Sequence, residues 1–334
     1  MDQRPKPLRH RSGARSARTD FGRHPPAAER LVTQPQTDDE LALRHGRFRA
    51  TVDPVGASLC SFRIDDVPLI REFPTATRRA LYGGAVLAPW VGRLAAGTYT
   101  FQGRTHHVPV DEPERGTALH GLVAQRAWDV VQHTDTLLTL RIRLALPTGY
   151  PFDLDLTATY LLDDTGLRIE LATSNLGSDP APYGCAIHPY LTAGGVVDDW
   201  SLHLPADTYL GTDPETLIPT HEAPTNDSPF DFRQPTSLAG LEIDNTFTGL
   251  DHDTDDDSTA TVRDADGRGV TLTWDRTLPW VQVYTSDHPS PDVHRTGLAI
   301  EPAICPPNAF VTGRDLIVLD PGERHVAQWH LAPS

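Results

Sequence analysis

Short apolar–polar alternations, each cut off by Gly, Asp or Pro, run through most of this chain and restrict it to folds built from sheet. Runs from Arg47 to Val52, Ser58 to Ile64, Tyr99 to Phe101, Leu137 to Leu146, Leu154 to Leu161, Leu167 to Ser174, Ser201 to Leu204, Thr259 to Arg263, Val270 to Trp274, Val281 to Thr285, Gly297 to Glu301 and His325 to His330 fit this strand-rich texture. Period two puts successive side chains on opposite faces of a strand. Asp163-Asp-Thr-Gly166 and Asp264-Ala-Asp-Gly267 sit between paired runs and predict hairpins. No long stretch keeps a 3.6-residue period, which argues against βαβ repetition and a parallel sheet. The expected fold is all-β, a large antiparallel β-sandwich.

At 334 residues the chain could hold two average domains, but sandwiches often exceed about 200 residues as one unit. Residues 1–40 are polar, Arg- and Pro-rich and carry little to bury. A disordered extension is expected there, followed by a single β-sandwich domain over 41–334. The formal net charge of -16, with Lys6 the only lysine, argues against nucleic acid or an anionic membrane as partner. Cys60, Cys185 and Cys305 are too few and too widely spaced for a disulfide framework and suit a reducing, cytoplasmic compartment. The amino terminus lacks the apolar core of a secretory signal, and no run reaches membrane-spanning length.

Two segments carry chemistry. Leu298-Ala-Ile-Glu301-Pro-Ala-Ile-Cys-Pro-Pro307 sets one carboxylate between a strand-like run and a proline-rich stop, a place to hold a general base. Gly184-Cys-Ala-Ile-His188-Pro-Tyr190 does the same for an imidazole. A carboxylate and an imidazole, each at the mouth of a strand, suggest acid and base acting on a neutral polar substrate. Taken singly, Glu301 could equally pair with a buried arginine and His188 could be a satisfied core residue.

Seven segments in order resemble the signature of the aldose 1-epimerases, or galactose mutarotases: Ala88-Pro-Trp-Val-Gly-Arg93-Leu-Ala-Ala-Gly97, Glu112-Pro-Glu-Arg-Gly-Thr-Ala-Leu-His120-Gly121, Ile187-His188-Pro-Tyr190, Asp231-Phe-Arg233, Ile243-Asp244-Asn-Thr-Phe-Thr-Gly249, Val281-Gln282-Val-Tyr-Thr285 and Ile300-Glu301-Pro302. The resemblance implies a galactose mutarotase-like supersandwich and an isomerase that interconverts the α and β anomers of free aldohexoses. By it, Glu301 matches the family's base and His188 its acid, while Arg93, His120, Asp244 and Gln282 match sugar-binding positions. The family's first segment usually reads Asn-Arg; here Gly92 precedes Arg93 and removes a side-chain donor to a sugar hydroxyl. If Gly92 faces the sugar with an ordinary backbone, an asparagine there should restore that contact.

Mutarotation takes the proton from the anomeric hydroxyl and delivers one to the ring oxygen, so one base and one acid suffice. Glu301 as carboxylate and His188 as imidazolium at neutral pH are expected in these roles, with no metal or other cofactor. Arg93 and Asp244 suit sugar hydroxyls, although either alone would equally suit a structural ion pair or an Asx-turn. His120 could donate to or orient the ring oxygen, and Trp90 and Tyr190 are candidates to cover an apolar sugar face. The partner expected is a small aldose, for a monomer or homodimer. Alternatives are a hexose-6-phosphate 1-epimerase recruiting Arg93, Arg126 and Arg233, a glycoside hydrolase pairing Glu301 with Asp244, and a non-catalytic sugar-binding protein. Cys185, His188 and Cys305 could nominally hold zinc, but no CxxC pair supports it. Asp251 to Asp257 resembles a calcium loop without its glycine and glutamate, and reads better as a solvated hairpin.

Overall fold

The computed structural model describes residues 41–334, and the extension expected over 1–40 lies outside them. The described residues form an all-β fold dominated by two antiparallel sheets, as the alternation requires. The larger sheet has nine strands in the spatial order Asp129–His133, Leu137–Ala145, Asp153–Asp163, Gly166–Asn175, Arg324–Pro333, Gly269–Asp275, Asp257–Arg263, Ser201–His203 and Thr236–Ser237. Its two predicted hairpins close where the turn residues placed them, at Asp163–Gly166 and between Arg263 and Gly269. In Asp153–Asp163 the alternation is clean: Leu154, Leu156, Ala158, Tyr160 and Leu162 are buried while their neighbours reach toward solvent.

The C-terminal strand Arg324–Pro333 lies in the middle of this sheet, paired on one side with Gly166–Asn175 and on the other with Gly269–Asp275. Trp329 and Trp274 face each other across the second pairing and are both buried. Trp329 reaches further: its indole N–H donates to the Pro302 carbonyl of the other sheet at 3.3 Å.

That second sheet has eight strands. In spatial order they are Pro219–Pro224, Ala206–Thr212, Asp244–Leu250, Trp280–Tyr284, Leu298–Ala303, Ala186–Ile187 and Val86–Leu87, with Tyr190–Leu191 also pairing Leu298–Ala303. Val281, Val283, Leu298 and Ile300 turn inward to the core, which leaves Gln282, Tyr284 and Glu301 on the opposite face.

Two expectations need correction. Pro302 does not end its strand, which runs on to Ala303 with Pro302 paired to Val281. The acidic run from Asp251 is no hairpin: it carries the chain from the eight-stranded sheet to the nine-stranded one. Within it the Asp253 carboxylate accepts the backbone N–H groups of Asp255 and Asp257, which turns the chain. A short helix over Thr75–Ala80 was also not foreseen, because six residues are too few to display a period. All three cysteines are buried, and none is joined in a disulfide among the described residues. Among the described residues no helix is long and apolar enough to cross a membrane.

Candidate active site

Register builds the site. Thr246 pairs with Gln282, and Gln282 with Glu301. Ala186 pairs with Ala303 and Tyr190 with Ala299, so continuing that register sets His188 opposite Glu301. Thr246, Gln282, Glu301 and His188 therefore lie in one row across four neighbouring chain segments, close enough for cross-strand contact. The ladder opens at His188 because Pro189 and Pro302 each withhold a backbone N–H from it, and the strand splits into Ala186–Ile187 and Tyr190–Leu191. His188 is instead tied to the next segment, its N–H to the Ala85 carbonyl at 3.0 Å and its carbonyl to the Gly84 N–H at 2.7 Å.

Along the row the polar atoms connect. Thr246 donates its hydroxyl to Gln282 Oε1 at 2.5 Å, which turns the Gln282 amide so that Nε2 donates to Asp244 Oδ1 at 2.6 Å. His188 Nε2 lies 3.2 Å from Glu301 Oε1. Both are buried, with 5% of each residue's surface exposed. Burial pushes the Glu301 carboxyl well above its usual range, an effect reinforced by Asp244 and opposed by Arg93. Burial also pulls the His188 imidazole down to about 4. The imidazolium expected at neutral pH is thus corrected for His188: with little water to solvate a charge, burial disfavours the charged form of both partners. Burial raises Asp244 too, against the pull of Arg93 and the Gln282 hydrogen bond.

A second wall comes from a ribbon in which Arg93–Ala95 pairs with Thr117–Leu119. Arg93 is held by a two-pronged ion pair to Glu112, at 2.8 and 2.9 Å. Glu112 also accepts the Thr117 hydroxyl at 2.6 Å and stands 3.3 Å from Arg115. Burial raises Glu112, but its bonds from Arg93 and Thr117 outweigh this and hold the carboxyl below the usual range. His120 and Gly92 are opposed at the ribbon's end, the His120 N–H donating to the Gly92 carbonyl at 2.9 Å. Both adopt left-handed backbone, with φ of 60° and 57°. The His120 ring packs edge-on against His188, centroids 5.2 Å apart, and lies tilted against Tyr82, centroids 4.7 Å apart.

These walls enclose a cavity of about 680 Å³, lined by Glu301, His188, His120, Arg93, Asp244, Gln282 and Tyr190 among others. The predicted site residues thus converge, although Tyr190 acts from behind: its ring stacks on His188 at 5.1 Å and its hydroxyl donates to the Leu81 carbonyl. Trp90 is a core residue, packed on Phe310 with its N–H bonded to the Ala118 carbonyl at 3.3 Å, and does not line the cavity. Arg126 and Arg233 do not line it either; Arg233 is bound to Asp231, while Arg93 and Arg115 share Glu112. No cluster of free cations faces the cavity among the described residues. The ligating neighbours of His188 are His120 and Glu301, not the cysteines.

Sequence reasoning passed over the roles of Glu112, Thr246, Tyr82 and Tyr284, all of which line the cavity. Thr246 could have been found, since it stands two residues after Asp244 and so on the same face of a strand. Glu112 lies inside one of the seven ordered segments, but nothing local ties it to Arg93.

Residues 39–332 match the family model described as aldose 1-epimerase. The uncharacterized Escherichia coli protein YihR is 35% identical over 287 residues, spanning 85% of this chain and 90% of its own. Galactose mutarotase of Mus musculus is 30% identical over 288 residues, 81% of this chain and 82% of its own. Among solved structures, the aldose epimerase homologue from C. elegans has the same fold, with a TM-score of 0.78 at 21% identity over 89% of this chain and 98% of that one.

Proposed function

The chain belongs to the aldose 1-epimerase family, and from that premise we propose that it interconverts the α and β anomers of a free aldohexose of the glucose or galactose type. The observation that carries the reading is the buried His188–Glu301 pair, 3.2 Å apart on one wall of a sugar-sized cavity.

The reaction needs one transferable proton and one vacant acceptor. A pair that rests with a single proton supplies both. Moving that proton from Glu301 to His188 across the 3.2 Å between them produces carboxylate and imidazolium, and Arg93 favours this by stabilising the Glu301 charge. Glu301 then takes the proton of the anomeric hydroxyl as His188 protonates the ring oxygen. The C1–O5 bond breaks, an aldehyde forms, the C1–C2 bond turns, and closure on the other face reverses both transfers. No atoms are gained or lost, and the pair ends with the proton count it began with. Arg93 and Gln282 offer donors to sugar hydroxyls and Asp244 an acceptor. Tyr82 and His120 present ring faces to the apolar side of a pyranose.

A hexose 6-phosphate would need cations that are free to meet it, whereas Arg93 and Arg115 are occupied by Glu112. That favours the neutral sugar. The test is anomer exchange, followed by polarimetry or by magnetisation-transfer NMR, on glucose, galactose and their 6-phosphates. Exchange of free hexoses well above the uncatalysed rate supports the proposal. Sugar binding without catalysed exchange would sink it in favour of a non-catalytic binding protein, and exchange of the phosphates alone would sink it in favour of the phosphate enzyme.

A further inference from the structure

The His188–Glu301 pair has a third neighbour with ligating capacity. One ligand atom from each of His120, His188 and Glu301 lies within 4.8 Å of those of the other two, and all three residues are buried. Two nitrogens and one carboxylate oxygen suit a borderline first-row ion. Donors at ordinary zinc distances on one ion stand about 3 to 3.5 Å apart, and the His188 Nε2–Glu301 Oε1 separation is 3.2 Å. His120 sits edge-on to His188 and could join them by side-chain rotation. The remaining coordination positions would open to the cavity.

We propose that His120, His188 and Glu301 form an inhibitory site for a first-row divalent transition ion, zinc(II) in the first instance, that excludes the sugar while occupied. The ion would take the nitrogen and oxygen lone pairs that proton transfer requires and displace the proton shared by the pair. The site differs from one built for a resident metal. Metal-binding histidines ordinarily anchor their second ring nitrogen on a carboxylate or carbonyl, whereas His188, whose Nε2 faces Glu301, has no hydrogen-bond partner on its buried Nδ1 among the described residues. Exchangeable binding follows, with the ion competing against substrate rather than assisting it.

Binding stands independently of the function proposed above; inhibition rests on it. Zinc(II) titrated calorimetrically into the chelator-treated full chain should saturate at one ion per chain, and glucose or galactose should weaken it. His120→Asn, whose side chain tolerates left-handed backbone, and Glu301→Gln, which keeps the shape of the residue, should each weaken binding by about tenfold or more, with unchanged circular dichroism as the check on folding. In anomer exchange, zinc(II) should raise KM, leave kcat unaltered and be reversed by chelator. Absence of saturable binding overturns the proposal, as does binding that both variants retain in full, because the ion then sits elsewhere. Saturable binding lost in both variants, in a protein that exchanges no sugar, upholds the metal site and refutes the enzymatic reading instead.

Discussion

His188 Nε2 and Glu301 Oε1 stand 3.2 Å apart on directly opposed positions of adjoining segments, at the point where two prolines interrupt the ladder between them. Backbone register makes this pairing, so either partner can be replaced by an isostere without disturbing the sheet.

Glu301→Gln should therefore fold as the parent does and lose catalysed anomer exchange, because an amide does not serve as the proton acceptor. Sugar binding should persist. A variant that keeps more than about a tenth of the parent kcat, a loss below ~1.4 kcal/mol, would show that Glu301 is not the base.

The pH profile should report the pair's proton count in chelator-treated enzyme. Activity requires one proton on the pair, so kcat/KM falls at low pH when His188 gains a second, and it falls at high pH when Glu301 gives up the only one. With His188 held down to about 4, the acid limb should be centred near there and not near the ordinary imidazole value of 6.5. The alkaline limb should lie well above the ordinary carboxylate range because Glu301 is raised. Initial rates across roughly pH 3.5 to 9 decide the matter, and an acid limb at the ordinary imidazole value would contradict the burial argument.

Gly92→Asn was the substitution expected to restore a sugar contact, and the backbone argues otherwise. Gly92 has a φ of 57°, and a Cβ added there would stand 2.8 Å from Pro307 Cγ and 2.9 Å from Pro307 Cβ. The variant should lose stability, by about 1 to 3 kcal/mol for strained backbone and overpacking together, with no fall in KM for glucose or galactose. A thermal melt and exchange kinetics on the same preparation test both halves. Pro307→Ala in the same chain should recover part of the melting temperature.

Glu112→Gln should act on Arg93. The neutral amide cannot hold both prongs of the guanidinium, so Arg93 is freed to wander and hydroxyl recognition suffers. KM should rise several-fold while kcat changes little, and Glu112→Asp should recover part of the loss. An equal fall in kcat with unchanged KM would mean that Arg93 works chiefly in the transition state.

Much of this molecule is legible in the chain because period two is a local property. The hairpins at Asp163–Gly166 and Arg263–Gly269 and the strands around them follow from alternation, whereas Asp129–His133, Ala206–Thr212, Pro219–Pro224 and Asp244–Leu250 were not among the runs it picked out. The ordered segments likewise pointed to residues that converge on the cavity, with Trp90 and the Asp231-Phe-Arg233 segment the exceptions. The apolar bulk of Trp90 suits a core and a sugar platform equally.

Tertiary structure alone decided how those residues act. The row from Thr246 to His188 exists because segments far apart in the chain share one register, and register between distant strands leaves no trace in a single sequence. Glu112 meets Arg93 only through the folded ribbon. The location of the proton in the resting pair depends on desolvation, which belongs to the assembled pocket and to no residue by itself. Nor could the segment around Gly92 announce its left-handed backbone or the proline packed against it, since these arise from contact between residues 92 and 307. Alternation determined where strands form and that each has two faces; the closing of the sheet determined which side chains meet across the cavity, their distances, their solvation and hence their chemistry.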